Sequence, residues 1–176
     1  NLTNLSNLSI NGNFLSGEIP PELGNLTNLT TLSLSDNGLS GSIPSELGNL
    51  INLTNLHFFD TALSGEIPPE LGNLVNLNSL ELHNNNLEGS IPSEIGNLIN
   101  LTNLHLWNNY LEGDVPLGIW DLNNLVELDL STNQLTGMIS PNIGSITNLE
   151  LLGLGENQLN GFIPESICEL ELNEFE

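Results

Sequence analysis

The chain has three histidines, His57, His83 and His105, and all fall in one stretch with Phe59, Asp60, Glu81, Trp107, Glu127 and Asp129. Imidazole and carboxylate are ligand types that zinc accepts. His57, Glu81 and His105, spaced by 24 residues with His83 nearby, are therefore a candidate constellation. If 24 residues is one step between adjacent strands, the flanking histidines stand roughly 10 Å apart at Cβ. They would have to lean toward one point, so no metal and no cofactor is expected. The milder expectation is a histidine–carboxylate ladder that titrates at roughly pH 6 to 7 and makes binding pH-sensitive.

Two other sets could do chemistry. Glu127 and Asp129 lie two residues apart, hence on one face of a strand, and paired carboxylates hydrolyse glycosides when suitably spaced. An open sheet neither excludes water nor separates the two carboxyl pKa values, and no nucleophile is paired with a base. An enzyme is not expected. Cys168 holds a position that glycine fills in most other repeats, from which a packed structural thiol is expected rather than a reactive one.

What must position these residues is a repeat. Leu5, Leu29, Leu53, Leu77, Leu101, Leu125 and Leu149 restart one pattern every 24 residues without insertion or deletion. The unit from Leu29 shows its grammar: Leu29, Leu32, Leu34, Asn37, Leu39, Gly41, Ile43, Pro44, Leu47, Gly48, Leu50. Leu32 and Leu34 alternate as a strand requires, which turns both inward and predicts that Ser33 and Ser35 face solvent. One unit cannot bury that face alone, and stacking the units makes a continuous core. Asn13, Asn37, Asn85, Asn109, Asn133 and Asn157 end the strands, where their amides can satisfy the turning backbone. Thr61 interrupts this series, and a looser turn is expected there.

The spacing L-x-x-L-x-L-x-x-N-x-L followed by G-x-I-P, as at Gly17–Pro20 and Gly41–Pro44, resembles the plant-type leucine-rich repeat. Similar repeats occur in receptor-kinase ectodomains, polygalacturonase-inhibiting proteins and bacterial surface proteins. The resemblance covers residues 5–172. It implies an α/β solenoid, a right-handed superhelix with a concave parallel β-sheet, a second short strand after the Asn turn, and short 3₁₀ segments on the convex side near Pro21–Leu23 and its equivalents. It also implies an extracellular or cell-surface location. Trp120 replaces the glycine after Ile119 and Ser140 replaces the proline after Ile139, so a less regular convex side is expected in the fifth and sixth units. A single domain over 1–176 follows, with seven repeats over 5–172 and an acidic end cap over 169–176.

The outward positions beside the strand leucines form columns. One runs Ser9, Ser33, His57, Glu81, His105, Asp129, Gly153; the next runs Asn11, Ser35, Phe59, His83, Trp107, Ser131, Gly155. The third to fifth units concentrate aromatic and titratable groups, and small residues fill the ends. Aromatic anchors within a polar rim are the usual composition of an interaction hot spot. The expected binding patch is therefore His57, Phe59, Asp60, Glu81, His83, His105, Trp107, Glu127 and Asp129, with Tyr110 just beyond. The expected ligand is a protein, a peptide or a cell-wall glycan. An ice-binding protein and a ligand-free scaffold are the alternatives.

Charge narrows the partners. The chain carries 22 acidic residues and no Lys or Arg, a formal charge of −22. Nucleic acids and anionic membrane surfaces are recognised by cations that neutralise phosphate, so nucleic acid is excluded as a partner and anionic membrane surfaces are disfavoured. No apolar run approaches the roughly 20 residues of a membrane span. The chain begins at Asn1 with neither Met nor a leader, from which an excised segment is expected. Its N-x-[ST] sites, at Asn1, Asn4, Asn7, Asn25, Asn28, Asn52 and Asn100, would permit glycosylation in a secretory pathway, although four arise from the repeat itself.

Overall fold

A three-residue strand is the shortest element that can point one side chain inward between two outward ones, and each repeat supplies one. The computed structural model describes residues 4–172 and the backbone of 174–175. The strands Asn7–Ser9, Thr31–Ser33, Asn55–His57, Ser79–Glu81, Asn103–His105, Glu127–Asp129, Leu151–Gly153 and Glu174–Phe175 form one parallel sheet in sequence order. The central residues pair in a straight column from Leu8 through Leu32, Leu56, Leu80, Leu104 and Leu128 to Leu152. A 24-residue step thus moves the chain by one strand without changing register. The same register sets His57 opposite Glu81, Glu81 opposite His105, and His105 opposite Asp129.

After each strand the chain turns through a residue in left-handed conformation: Asp36, Asp60, Asn84, Asn108, Thr132 and Glu156, with φ between 50° and 54°. Asp and Asn tolerate this region, whereas a β-branched residue such as Thr132 does so only under strain. A second parallel sheet of six short strands follows, from Ser16–Gly17 to Gln134–Thr136. Seven 3₁₀ segments complete the repeats, from Pro21–Asn25 to Glu165–Glu169. They include Leu117–Asp121 and Pro141–Ser145, where a less regular convex side was expected. Ser140, standing where the other repeats have Pro, caps its segment by accepting a hydrogen bond from the Asn142 N–H. Trp120, standing where most others have Gly, is almost wholly buried in the core.

Leucines and isoleucines from all three elements fill the interior, with Phe58 in place of the usual leucine in the third repeat. The asparagine series does what its position predicts. The Asn109 amide donates to the carbonyls of Leu82, Leu106 and Trp107, and its oxygen accepts from the Leu87 N–H. Thr61 reaches only the Phe58 carbonyl and the Asn85 side chain. The turn before it nevertheless keeps the common backbone, with Asp60 at φ 50°.

Two expectations are corrected. Ser33 and Ser35 are buried rather than solvated. The Ser33 hydroxyl donates to Asn11 Oδ1, and the Ser35 hydroxyl accepts from the Phe59 N–H, so each is absorbed between neighbouring strands. Cys168 is exposed rather than packed. The preceding glycines are covered by the next 3₁₀ segment, as a Cβ on Gly48 would meet Glu70 O at 2.5 Å, but no further segment among the described residues covers Cys168. Within the stretch expected as an acidic end cap, Glu174–Phe175 pairs with Leu151–Leu152 of the main sheet. Among the described residues no helix is long and apolar enough to cross a membrane.

Candidate functional site

Side chains on adjacent parallel strands stand one strand spacing apart, about 4.8 Å, which exceeds the thickness of an aromatic ring only modestly. Three planar rings in one column therefore have room to lie face to face, and they do. Phe59 and His83 stack at a centroid distance of 4.7 Å and 5° from parallel, and His83 and Trp107 at 4.6 Å and 13°. The His83 imidazole is sandwiched, which fixes its plane. His105 meets it edge-on at 5.9 Å, and His57 tilts against Phe59 at 6.5 Å.

The neighbouring column is a chain of polar contacts. Ser79 donates its hydroxyl proton to Glu81 Oε1 at 3.0 Å, and His57 Nε2 lies 3.0 Å from the same hydroxyl. A hydroxyl has one proton, so His57 Nε2 must be the donor to Ser79, which fixes its tautomer. His57 Nε2 also stands 3.6 Å from Glu81 Oε1, and His105 Nε2 stands 2.9 Å from Glu127 Oε2. The second contact is close enough for an ion pair but lies outside hydrogen-bond geometry, so the buried His105 Nε2 has no hydrogen bond. His83 Nδ1 is buried without a partner as well. The expected histidine–carboxylate ladder is present in both pairs. Burial holds the His83 pKa below the ordinary histidine value; His105 pushes the same way, against Glu81, Asp60 and Asp129.

The remaining patch residues divide. Asp129 Oδ1 accepts from both the N–H and the hydroxyl of Ser131, which turns it along its own strand and away from Glu127. Asp60 is exposed on the rim, where Asn84 donates to it at 2.7 Å and Asn108 donates to Asn84 at 2.7 Å. These side chains floor an open groove of about 760 Å³ that also takes in Tyr110, Thr132 and Glu156. Asp60 and Tyr110 were singled out in the sequence, but the groove itself was not, because its other residues are the turn positions of successive repeats. The zinc constellation is different from the one the sequence suggested. Among the described residues, donor atoms of Glu81, His83 and His105 lie within 4.8 Å of one another, while His57 is turned to Ser79.

The Leucine Rich Repeat family pattern matches residues 4–26, 28–50, 52–74, 76–98, 100–122, 124–146 and 148–170. The chain belongs to the leucine-rich-repeat family. Among solved structures, this leucine-rich-repeat chain is similar to the plant peptide hormone receptor RGFR1 in complex with RGF2, with 40% identity over 96% of the chain and a TM-score of 0.93. It is also similar to the Arabidopsis receptor kinase HAESA in complex with the peptide hormone IDA and the co-receptor SERK1, at 44% identity over 97% of the chain and a TM-score of 0.92. The chain spans 27% and 29% of those two receptor chains. A plant ice-binding protein matches at 30% identity over 97% of this chain and 63% of its own, with a TM-score of 0.79. No curated protein sequence matches the chain. The family match is to the leucine-rich repeat, and no catalytic family is indicated.

Proposed function

We propose that the chain is an extracellular, non-enzymatic recognition module that holds a basic peptide segment across Phe59, His83 and Trp107. The stack of these three rings is the observation that carries the reading. Facing pairs spend the inner ring faces on one another, which leaves a ridge of ring edges rather than the open platforms on which sugars stack. Such a ridge suits an apolar side chain laid along it. The surrounding Asp60, Glu81, Glu127 and Asp129, in a chain without any Lys or Arg, favour a cationic partner. The rim groove beside Asp60, lined with amides and carboxylates, suits the polar backbone of an extended segment. The likeness to receptors solved with peptide hormones supports a peptide over a glycan.

The test is selection from a random peptide library displayed at neutral pH, run in parallel on the parent and on Phe59→Ser/Trp107→Ser after both are shown to be folded. Peptides enriched in Lys or Arg beside an apolar residue, retained by the parent alone, are expected. Equal retention by both proteins, or enrichment without basic residues, would overturn the proposal. The likeness to an ice-binding protein supports a second reading. Ice binding calls for a regular array, and the outward columns change residue type at almost every strand from Ser33 to Gly153. Thermal hysteresis of the parent in a freezing assay would promote that reading.

A further inference from the structure

We propose that Glu81, His83 and His105 form a binding site for a divalent transition-metal ion of the zinc type. One donor atom from each lies within 4.8 Å of the others. Zinc ligands at 2.0 to 2.2 Å in tetrahedral array stand about 3.4 Å apart, so the donor atoms have at most about 1.4 Å to draw together. Two imidazoles and one carboxylate are a donor set that zinc takes with its fourth position left to water.

Three independent observations point to a ligand here. First, the structure leaves His83 Nδ1 buried and without a hydrogen bond, although buried polar atoms are ordinarily satisfied, and His105 Nε2, also without one, has only the Glu127 carboxylate 2.9 Å away. Second, the ligands are held in place beforehand. Phe59 and Trp107 clamp the His83 ring from both faces, and the His57–Ser79 pair steers the Glu81 carboxylate. Support of this kind from surrounding residues orients metal ligands and strengthens their hold. Third, only neutral donors and the His57 ring, its Nε2 3.6 Å away, compete for the carboxylate. With no Lys or Arg in the chain, Glu81 has no ammonium or guanidinium partner, and the net charge of −22 raises the local concentration of cations.

The site does not depend on the peptide reading, because the ion is titrated alone. Chelator-stripped protein is titrated with Zn²⁺ by calorimetry at neutral pH and, separately, with Co²⁺ while visible absorption is recorded. One zinc per chain is expected, with more than about tenfold weaker binding for His83→Gln and for His105→Gln, since loss of even an outer supporting contact costs that much. Glu46→Gln/Glu70→Gln, which removes two exposed carboxylates of the convex side, should bind as the parent does. The Co²⁺ spectrum needs no variant and should show the intense bands of a four-coordinate ion. Weak octahedral bands, or zinc binding that survives both histidine changes and falls with the convex pair, would overturn the site.

Discussion

The imidazole of His83 lies 4.6 Å from the indole of Trp107 and 13° from parallel to it, although the two residues are 24 positions apart in the chain. The repeat length makes the contact possible, because one period equals one strand step, and the ring types make it favourable. Offset aromatic pairs contribute about 0.5 to 1.5 kcal/mol beyond the area they bury. A double-mutant cycle on His83→Ala and Trp107→Ala should return a coupling of about that size by urea denaturation. Additive effects would show that the two rings stand side by side without supporting one another.

Thr61 supplies a hydroxyl where the other strand turns supply an amide. Asn109 bridges three carbonyls and accepts one N–H, whereas Thr61 reaches the Phe58 carbonyl and the Asn85 side chain. Thr61→Asn should restore the missing bonds and raise stability by about 1 kcal/mol, the usual net contribution of a buried hydrogen bond. Urea midpoints of the two proteins decide it, and an unchanged midpoint would mean that the third turn is already satisfied.

Gly48 lies at the close seam between two consecutive 3₁₀ segments. A Cβ there would meet Glu70 O at 2.5 Å, and a backbone atom cannot swing aside as a side chain can. Gly48→Ala should therefore cost about 1 to 3 kcal/mol, the range for overpacking. Gly65 is the control for contact alone: a Cβ there has nothing nearer than 3.8 Å, although its φ of 77° adds backbone strain of its own. A melting temperature for Gly48→Ala equal to the parent's would show that the solenoid opens at this seam without cost.

Protonation of His83 should weaken the fold. Its pKa is lowered by burial and by His105, against the pull of Glu81, Asp60 and Asp129. The unfolded chain then takes up a proton at a higher pH than the folded one. Stability should therefore rise with pH through the window between the lowered folded value and about 6.5, and fall as acid is added across it. With a chelator present, urea titrations across this window should show the slope in the parent and a smaller one in His83→Gln. An equal slope in both would assign the effect to other groups.

Much of this architecture is legible in the sequence because a 24-residue period, one inward leucine per strand and one asparagine per turn leave a single way to stack. The register alone sets Glu81 between His57 and His105. What it does not set is side-chain direction. His57 could lean toward Glu81 and His105 together, yet it bonds the Ser79 hydroxyl, which is buried and unremarkable in the sequence, and His83 rather than His57 joins the cluster of Glu81 and His105. Ser33 and Ser35 mislead for a related reason. Alternation tells which face a residue is on, whereas the size of its neighbours decides whether water reaches it. The exposed Cys168 shows that a position's burial depends on the next repeat, and the last one has no successor among the described residues.

The acidic residues of the convex side are the remaining feature that energetics must address. Glu22, Glu46, Glu70 and Glu94 recur one repeat apart at the second position of consecutive 3₁₀ segments, with no cation anywhere in the chain to separate them. Like charges on stacked repeats repel in the folded state more than in the expanded chain, so they subtract from stability at low ionic strength. Salt shortens the reach of that repulsion, from about 30 Å at 0.01 M to about 3 Å at 1 M. The melting temperature should therefore climb as sodium chloride is added, with most of the gain below about 0.2 M, where the screening length falls under 10 Å. Glu46→Gln/Glu70→Gln should start higher and climb less. A parent curve that is flat in salt would show that the carboxylates are spaced widely enough to ignore one another, and the absence of Lys and Arg would then carry no cost in stability.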